Sequence, residues 1–162
     1  PDLEKFKALV RSPEKFAKVT VYVQDALGGA NATVWQIASA SVTDSNQFSF
    51  GKLCAVDDLL TVGTDKNSTK LGRVQGTIAY TSIFDELALT MDLIFYFTSG
   101  PYKGSTLCLG GRNPLLSKNR EMPVTAGSGT FRLARGYAIA NTISYDAATN
   151  YGVLEYTFYV TY

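Results

Sequence analysis

From Lys18 to the C-terminus, apolar residues recur at every second position in segments separated by Gly, Asn, Asp and Pro clusters. A period of two sustained over most of a chain commits it to β-structure, because only a pleated strand turns alternate side chains to one face. The clearest segment places Leu87, Leu89, Met91, Leu93, Phe95 and Phe97 on one face, and Thr90, Asp92, Tyr96 and Thr98 with Ile94 on the other. Eight segments are predicted, at 18–25, 32–42, 50–57, 71–83, 86–98, 104–110, 130–145 and 151–162. Their short connections predict an all-β fold, an eight-stranded antiparallel up-and-down β-barrel, with no exposed edges and room for one small ligand. The last segment alternates Leu154, Tyr156, Phe158 and Val160 with Val153, Glu155, Thr157 and Tyr159, so both of its faces are expected to be partly covered. The stretch from Gly110 to Gly129 reads as a long loop rich in Arg, Asn, Pro and Gly, a place to look for site residues. Residues 1–17 differ, with Leu3, Phe6, Leu9 and Val10 at helical spacing before Pro13, and are expected to form an arm or short helix ahead of a barrel domain at 18–162.

Charge and residue usage narrow the function classes. With 162 residues and 46% hydrophobic content the chain can bury one core without metals or disulfides. Lys plus Arg at 15 against Asp plus Glu at 14 leaves no basic face for nucleic acid. No apolar run approaches the roughly 20 residues needed to cross a bilayer as a helix, so no membrane partner is expected. There is no histidine, which removes the usual general base and the commonest transition-metal ligand. Proton transfer then falls to carboxylates, Lys, Tyr or Cys, and neither a metal nor a cofactor is expected. The start at Pro1 and the sequons Asn31-Ala32-Thr33 and Asn67-Ser68-Thr69 suggest a processed secretory product glycosylated at Asn31 and Asn67. Cys54 and Cys108 admit either packed thiols or one bridge. Small residues Ala38, Ala40, Ala138 and Ala140 beside aromatic-rich strands suggest packing between barrels in an oligomer.

Parity along the strands nominates site residues. Val19, Val21 and Val23 share a face with Asp25, so a carboxyl ends an apolar row, where burial would make it a usable acid or base; the other reading is a cap for the turn through Leu27-Gly28-Gly29. Ile78 and Tyr80 share a face, and Lys70 falls on it if no bulge intervenes. Tyr80 would either hydrogen-bond a ligand or serve as a core tyrosine. Asp57 and Asp58 must face opposite ways, and parity with Val56 turns Asp58 inward. Arg120 would either stabilise developing negative charge or pin the loop through Glu121 or Asp57.

Several ordered motifs coincide: Tyr22-Val23-Gln24-Asp25, Asn31-Ala32-Thr33, Asp57-Asp58-Leu59-Leu60-Thr61, Gly72-Arg73-Val74-Gln75-Gly76 and Tyr102-Lys103-Gly104-Ser105-Thr106-Leu107. Gly111-Arg112-Asn113-Pro114, Arg120-Glu121-Met122-Pro123-Val124 and Gly127-Ser128-Gly129-Thr130-Phe131-Arg132-Leu133-Ala134-Arg135-Gly136-Tyr137-Ala138 follow. In this order and spacing they resemble the dirigent proteins of land plants over about residues 18–162. The resemblance implies a secreted, apoplastic, glycosylated eight-stranded barrel that forms a homotrimer, with one pocket per subunit for a phenylpropanoid-derived phenol. Some members guide the coupling of monolignol radicals. Others, the pterocarpan synthases of legumes, resemble the group with Gly-Arg-Asn-Pro and dehydrate an isoflavanol; both routes pass through a quinone methide. Carried over by position, the pocket falls on Asp25, Ile78, Tyr80, Asn113 and Arg120. Ile78 stands where lignan-forming members have Tyr, Asn113 where they have Asp, and Gln24 where His is usual, which weakens the coupling role. The expected activity is therefore stereoselective isoflavanol dehydration. Asp25 would be acid/base, Tyr80 phenol anchor, Arg120 electrostatic stabiliser and Asp58 the second carboxyl, with Ile78, Asn113 and Lys70 contacting substrate. The alternatives are a non-catalytic guide for phenoxy radical coupling and a calycin-like carrier.

Overall fold

In the computed structural model, which describes residues 2–162, the first element is the helix α1 (Leu3–Arg11), and Pro1 of the expected arm lies outside the described residues. Asp2 caps α1 by accepting a 3.0 Å hydrogen bond from the Glu4 backbone N–H, and Arg11 faces the negative end of the helix dipole. None of its residues is buried.

Nine strands follow: β1 (Phe16–Ala26), β2 (Val34–Ala38), β3 (Leu53–Thr61), β4 (Lys70–Tyr80), β5 (Ala88–Phe97), β6 (Thr106–Pro114), β7 (Arg120–Ser128), β8 (Arg135–Asp146) and β9 (Tyr151–Thr161). Neighbours pair antiparallel in the order β1-β9-β8-β7-β6-β5-β4-β3, and β1 then closes on β3 through Tyr22↔Thr61, Val23↔Leu60 and Gln24↔Leu59. The result is the expected closed eight-stranded antiparallel barrel with one extra strand.

Two expected elements are corrected. The 32–42 segment supplies only β2, which lies outside the barrel against the first half of β3 (Val34↔Val56), with Trp35 to Ala38 exposed. The stretch from Gly110 to Gly129 is no long loop: β6 continues to Pro114, only residues 115–119 turn back, and β7 begins at Arg120. Strand β7 buries Arg120, Met122 and Val124 and exposes Glu121, Pro123 and Thr125, a proper alternation masked by its Pro and Gly. Pro123 lies beyond the last β6–β7 rung, Leu109↔Val124, where its missing N–H breaks no bond of that pairing.

The core follows from the alternation. Strand β5 buries Leu89, Met91, Leu93, Phe95 and Phe97 and exposes the residues between them. The Phe95 ring sits edge-on to Tyr156 and Phe158, with centroids 5.1 and 4.9 Å away. One end of the barrel is plugged by Phe97, Tyr102, Phe131 and Tyr162. Gly72 and Gly76 let β4 approach β5 closely, since a Cβ at either would lie within 2.0 Å of a backbone oxygen of Tyr96 or Asp92. Ala138 and Ala140 are fully buried, so they pack within the barrel and not between barrels as their composition suggested, whereas Ala38 and Ala40 are exposed. Cys54 and Cys108 are free thiols.

Candidate functional site

At the end opposite the plug the strand termini leave a cavity of about 390 Å³, whose lining includes Asp25, Ile78, Tyr80, Met91, Asn113 and Tyr156. Each arrives by register: Asp25 continues the inward row of β1, Ile78 and Tyr80 end β4, Asn113 ends β6, and Tyr156 comes from β9. The walls are mostly aliphatic and aromatic, so charge inside is poorly solvated.

Asp25 Oδ1 is buried without a hydrogen-bond partner, and burial raises the carboxyl to about 6. Asp58 points inward at 3% exposure and accepts a 2.5 Å hydrogen bond from the Thr33 hydroxyl. Burial first, and the nearby Asp25 charge second, push it up to about 8. The neighbouring Asp57 faces outward, accepts from Arg73 at 2.8 Å and Gln75 at 3.2 Å, and is held below the usual carboxylate range by Arg73. Parity therefore separated the two residues in the right sense. Asp25 and Asp58 titrate as a pair, and a pair so raised retains a proton near neutral pH.

The raised values have a sign for stability. Both carboxyls take a proton more readily in the fold than in the unfolded chain, where they titrate near 3.8. Their contribution is complete below about pH 4 and is lost as pH rises through the folded values of about 6 and about 8. Urea midpoints across this window are expected to fall more in the parent than in Asp58→Asn. Equal slopes would mean that Asp58 is not held protonated.

The remaining nominated residues separate by position. Asn113 is 2% exposed; its Nδ2 contacts Met91 Sδ at 2.9 Å, and its Oδ1 is buried without a partner. Tyr80 is half-buried and burial raises its hydroxyl, so it stays a neutral hydrogen-bond donor. Arg120 is buried behind Thr142 and Tyr156; it donates to the Ser117 carbonyl at 2.9 Å and Thr142 Oγ1 at 3.3 Å, leaving Nε without a partner. It makes no ion pair with Glu121 or Asp57 among the described residues. Lys70 shares the parity of Tyr80 but lies ten residues away along β4, roughly 30 Å, on an outer groove with Lys66 and Tyr151. Asn31 and Asn67 are both exposed on loops.

Sequence reasoning missed Thr142, Tyr145 and Tyr156 as lining residues. Tyr156 was legible as a member of the inward row of β9, but its alternation with Glu155 and Thr157 carried no chemical signal beyond core packing.

The family model described as Dirigent-like protein matches residues 16–161. Dirigent protein 21 of Arabidopsis thaliana is 39% identical over 91% of this chain and 78% of its own length. Pterocarpan synthase 1 of Glycyrrhiza echinata is 37% identical over the same shares. A solved pterocarpan synthase dirigent protein superposes with a TM-score of 0.82 at 34% identity, covering 92% of this chain and 89% of the other.

Proposed function

Because this chain belongs to the dirigent family, we propose that it converts an isoflavanol bearing a free 2′-hydroxyl to a pterocarpan, a stereoselective dehydration through a quinone methide. The observation that carries this reading is the unpartnered, raised carboxyl of Asp25 in an apolar cavity beside a second raised carboxyl, Asp58. Likeness to pterocarpan synthases supports it in sequence and fold.

Protonated Asp25 gives its proton to the 4-hydroxyl as the C4–O bond breaks, releasing water. The ring phenol lends its proton to the carboxyl pair as the neutral quinone methide forms. The 2′-oxygen then attacks C4, its proton returns to Asp25, and the lent proton returns to the phenol as the ring regains aromaticity. The net change is loss of one water, and the protein ends as it began. Tyr80 anchors a phenolic oxygen, Asn113 supplies a buried amide, and Arg120 favours developing negative charge from behind Thr142 and Tyr156. Fixed walls decide which face of C4 is attacked, which is a positioning effect. Burial keeps water from trapping the intermediate.

The test is incubation with an isoflavanol panel without oxidant, followed by chiral chromatography. Consumption to a single pterocarpan enantiomer is expected. No turnover, with altered enantiomeric excess only when an oxidase is added, would replace this reading by that of a non-catalytic coupling guide.

The same reading places the protein in the apoplast with glycan on Asn31 and Asn67. It also assembles three barrels through exposed apolar residues of the outer face, such as Ile94 and Tyr96. Light scattering is expected to give a trimer mass, and a clean monomer at micromolar concentration would refute the assembly.

A further inference from the structure

A second lobe of about 430 Å³ opens outside the catalytic cavity and shares Leu27, Tyr80 and Tyr145 with it, so the two meet at these side chains. Its own walls include Trp35, Lys52, Cys54 and Asn150. Trp35 comes from β2, the strand outside the barrel, and its indole is fixed by a 2.9 Å hydrogen bond from Nε1 to the Ala32 carbonyl. The Lys52 ammonium lies 5.1 Å from the centroid of the Tyr80 ring and makes no ion pair among the described residues. An aromatic-walled recess therefore holds one half-buried cation without a carboxylate, while the inner cavity is lined by the Asp25 carboxyl, with the buried Asp58 carboxyl close enough to feel its charge.

We infer that this outer lobe is a binding site for a small arene carrying an anionic oxygen, with the ring against Trp35 and Tyr145 and the charge at Lys52. Opposite polarity in the two lobes orients an acidic ligand, since the Asp25–Asp58 end repels an anion and the Lys52 end attracts it. A carboxylate is the form ionised at neutral pH, whereas an ordinary phenol there is not. The lobe adds an acid-selective site at the mouth to the dehydration reading, and it stands on the geometry of the mouth alone.

Trp35 is the single tryptophan in the chain, so its fluorescence reports occupancy of this lobe without any need for turnover. The probe is 3-(4-hydroxyphenyl)propanoate against its methyl ester, with excitation at the red edge of the tryptophan band, where phenols do not absorb. The acid is expected to bind roughly three- to tenfold more tightly than the ester, the range for a partly exposed charge-assisted contact. Lys52→Met should abolish that preference while leaving ester binding unchanged, and Lys52→Arg should retain it. Equal affinity of acid and ester in the parent, or a Trp35 signal that does not respond, overturns the inference. Isoflavanol turnover is read separately, so a parent that binds the acid but dehydrates nothing keeps the outer lobe and removes the dehydratase reading.

Discussion

Asp25→Asn is expected to lower kcat for isoflavanol dehydration by roughly 10²- to 10⁴-fold, the range for removal of a general acid–base group. The amide matches the carboxyl in shape and hydrogen-bonding reach but has no proton to give. Its neutral form also resembles the protonated state that burial already favours, so the barrel is expected to stay folded, and above the folded value of about 6 to be no less stable than the parent. Rapid-mix or steady-state assays beside a denaturation curve separate the two effects. A variant that is folded and fully active would take Asp25 out of the mechanism and move the proton to Asp58.

The second large effect is on the fold. Phe95 has no exposed surface and is wedged edge-on between Tyr156 and Phe158. Phe95→Ala is expected to cost about 3–5 kcal/mol, the lost transfer energy together with a cavity that closely packed neighbours cannot close. Tyr156 lines the cavity that holds Asp25, so the void opens directly behind one of its walls. Turnover and enantiomeric selectivity are expected to fall together with stability. Urea unfolding that shows less than about 1 kcal/mol of change would mean that the strands collapse onto the gap.

How far the sequence could be read depended on what alternation reports. It reports the face of a residue, and it placed Asp25 and Asp58 inside and Asp57 outside correctly. It does not report height along a barrel. Lys70 and Tyr80 share parity on β4 yet stand at opposite ends of the strand, and only Tyr80 reaches the cavity. Strand β7 was hidden because Pro123 and Gly127 carry loop signals, although Arg120, Met122 and Val124 keep the period. The 32–42 segment had strand chemistry, but nothing in its composition revealed that β2 would sit outside the closure. The pairing of Trp35 and Lys52 with Tyr145 has no local signature, because Tyr145 on β8 is distant in sequence and joins the β2–β3 pair only when the barrel mouth forms.

The hydroxyl of Thr33 belongs to two features at once. It is the third residue of the Asn31 sequon, and its bond to Asp58 holds the inner carboxyl. Destroying the sequon by Thr33→Ala would therefore also unclamp Asp58, and an activity change seen in such a variant would not report on the sequon alone. Asn31→Gln leaves the clamp untouched, and Thr33→Ser keeps both the sequon and the bond. To remove the sequon without disturbing the inner carboxyl, the asparagine is the position to change.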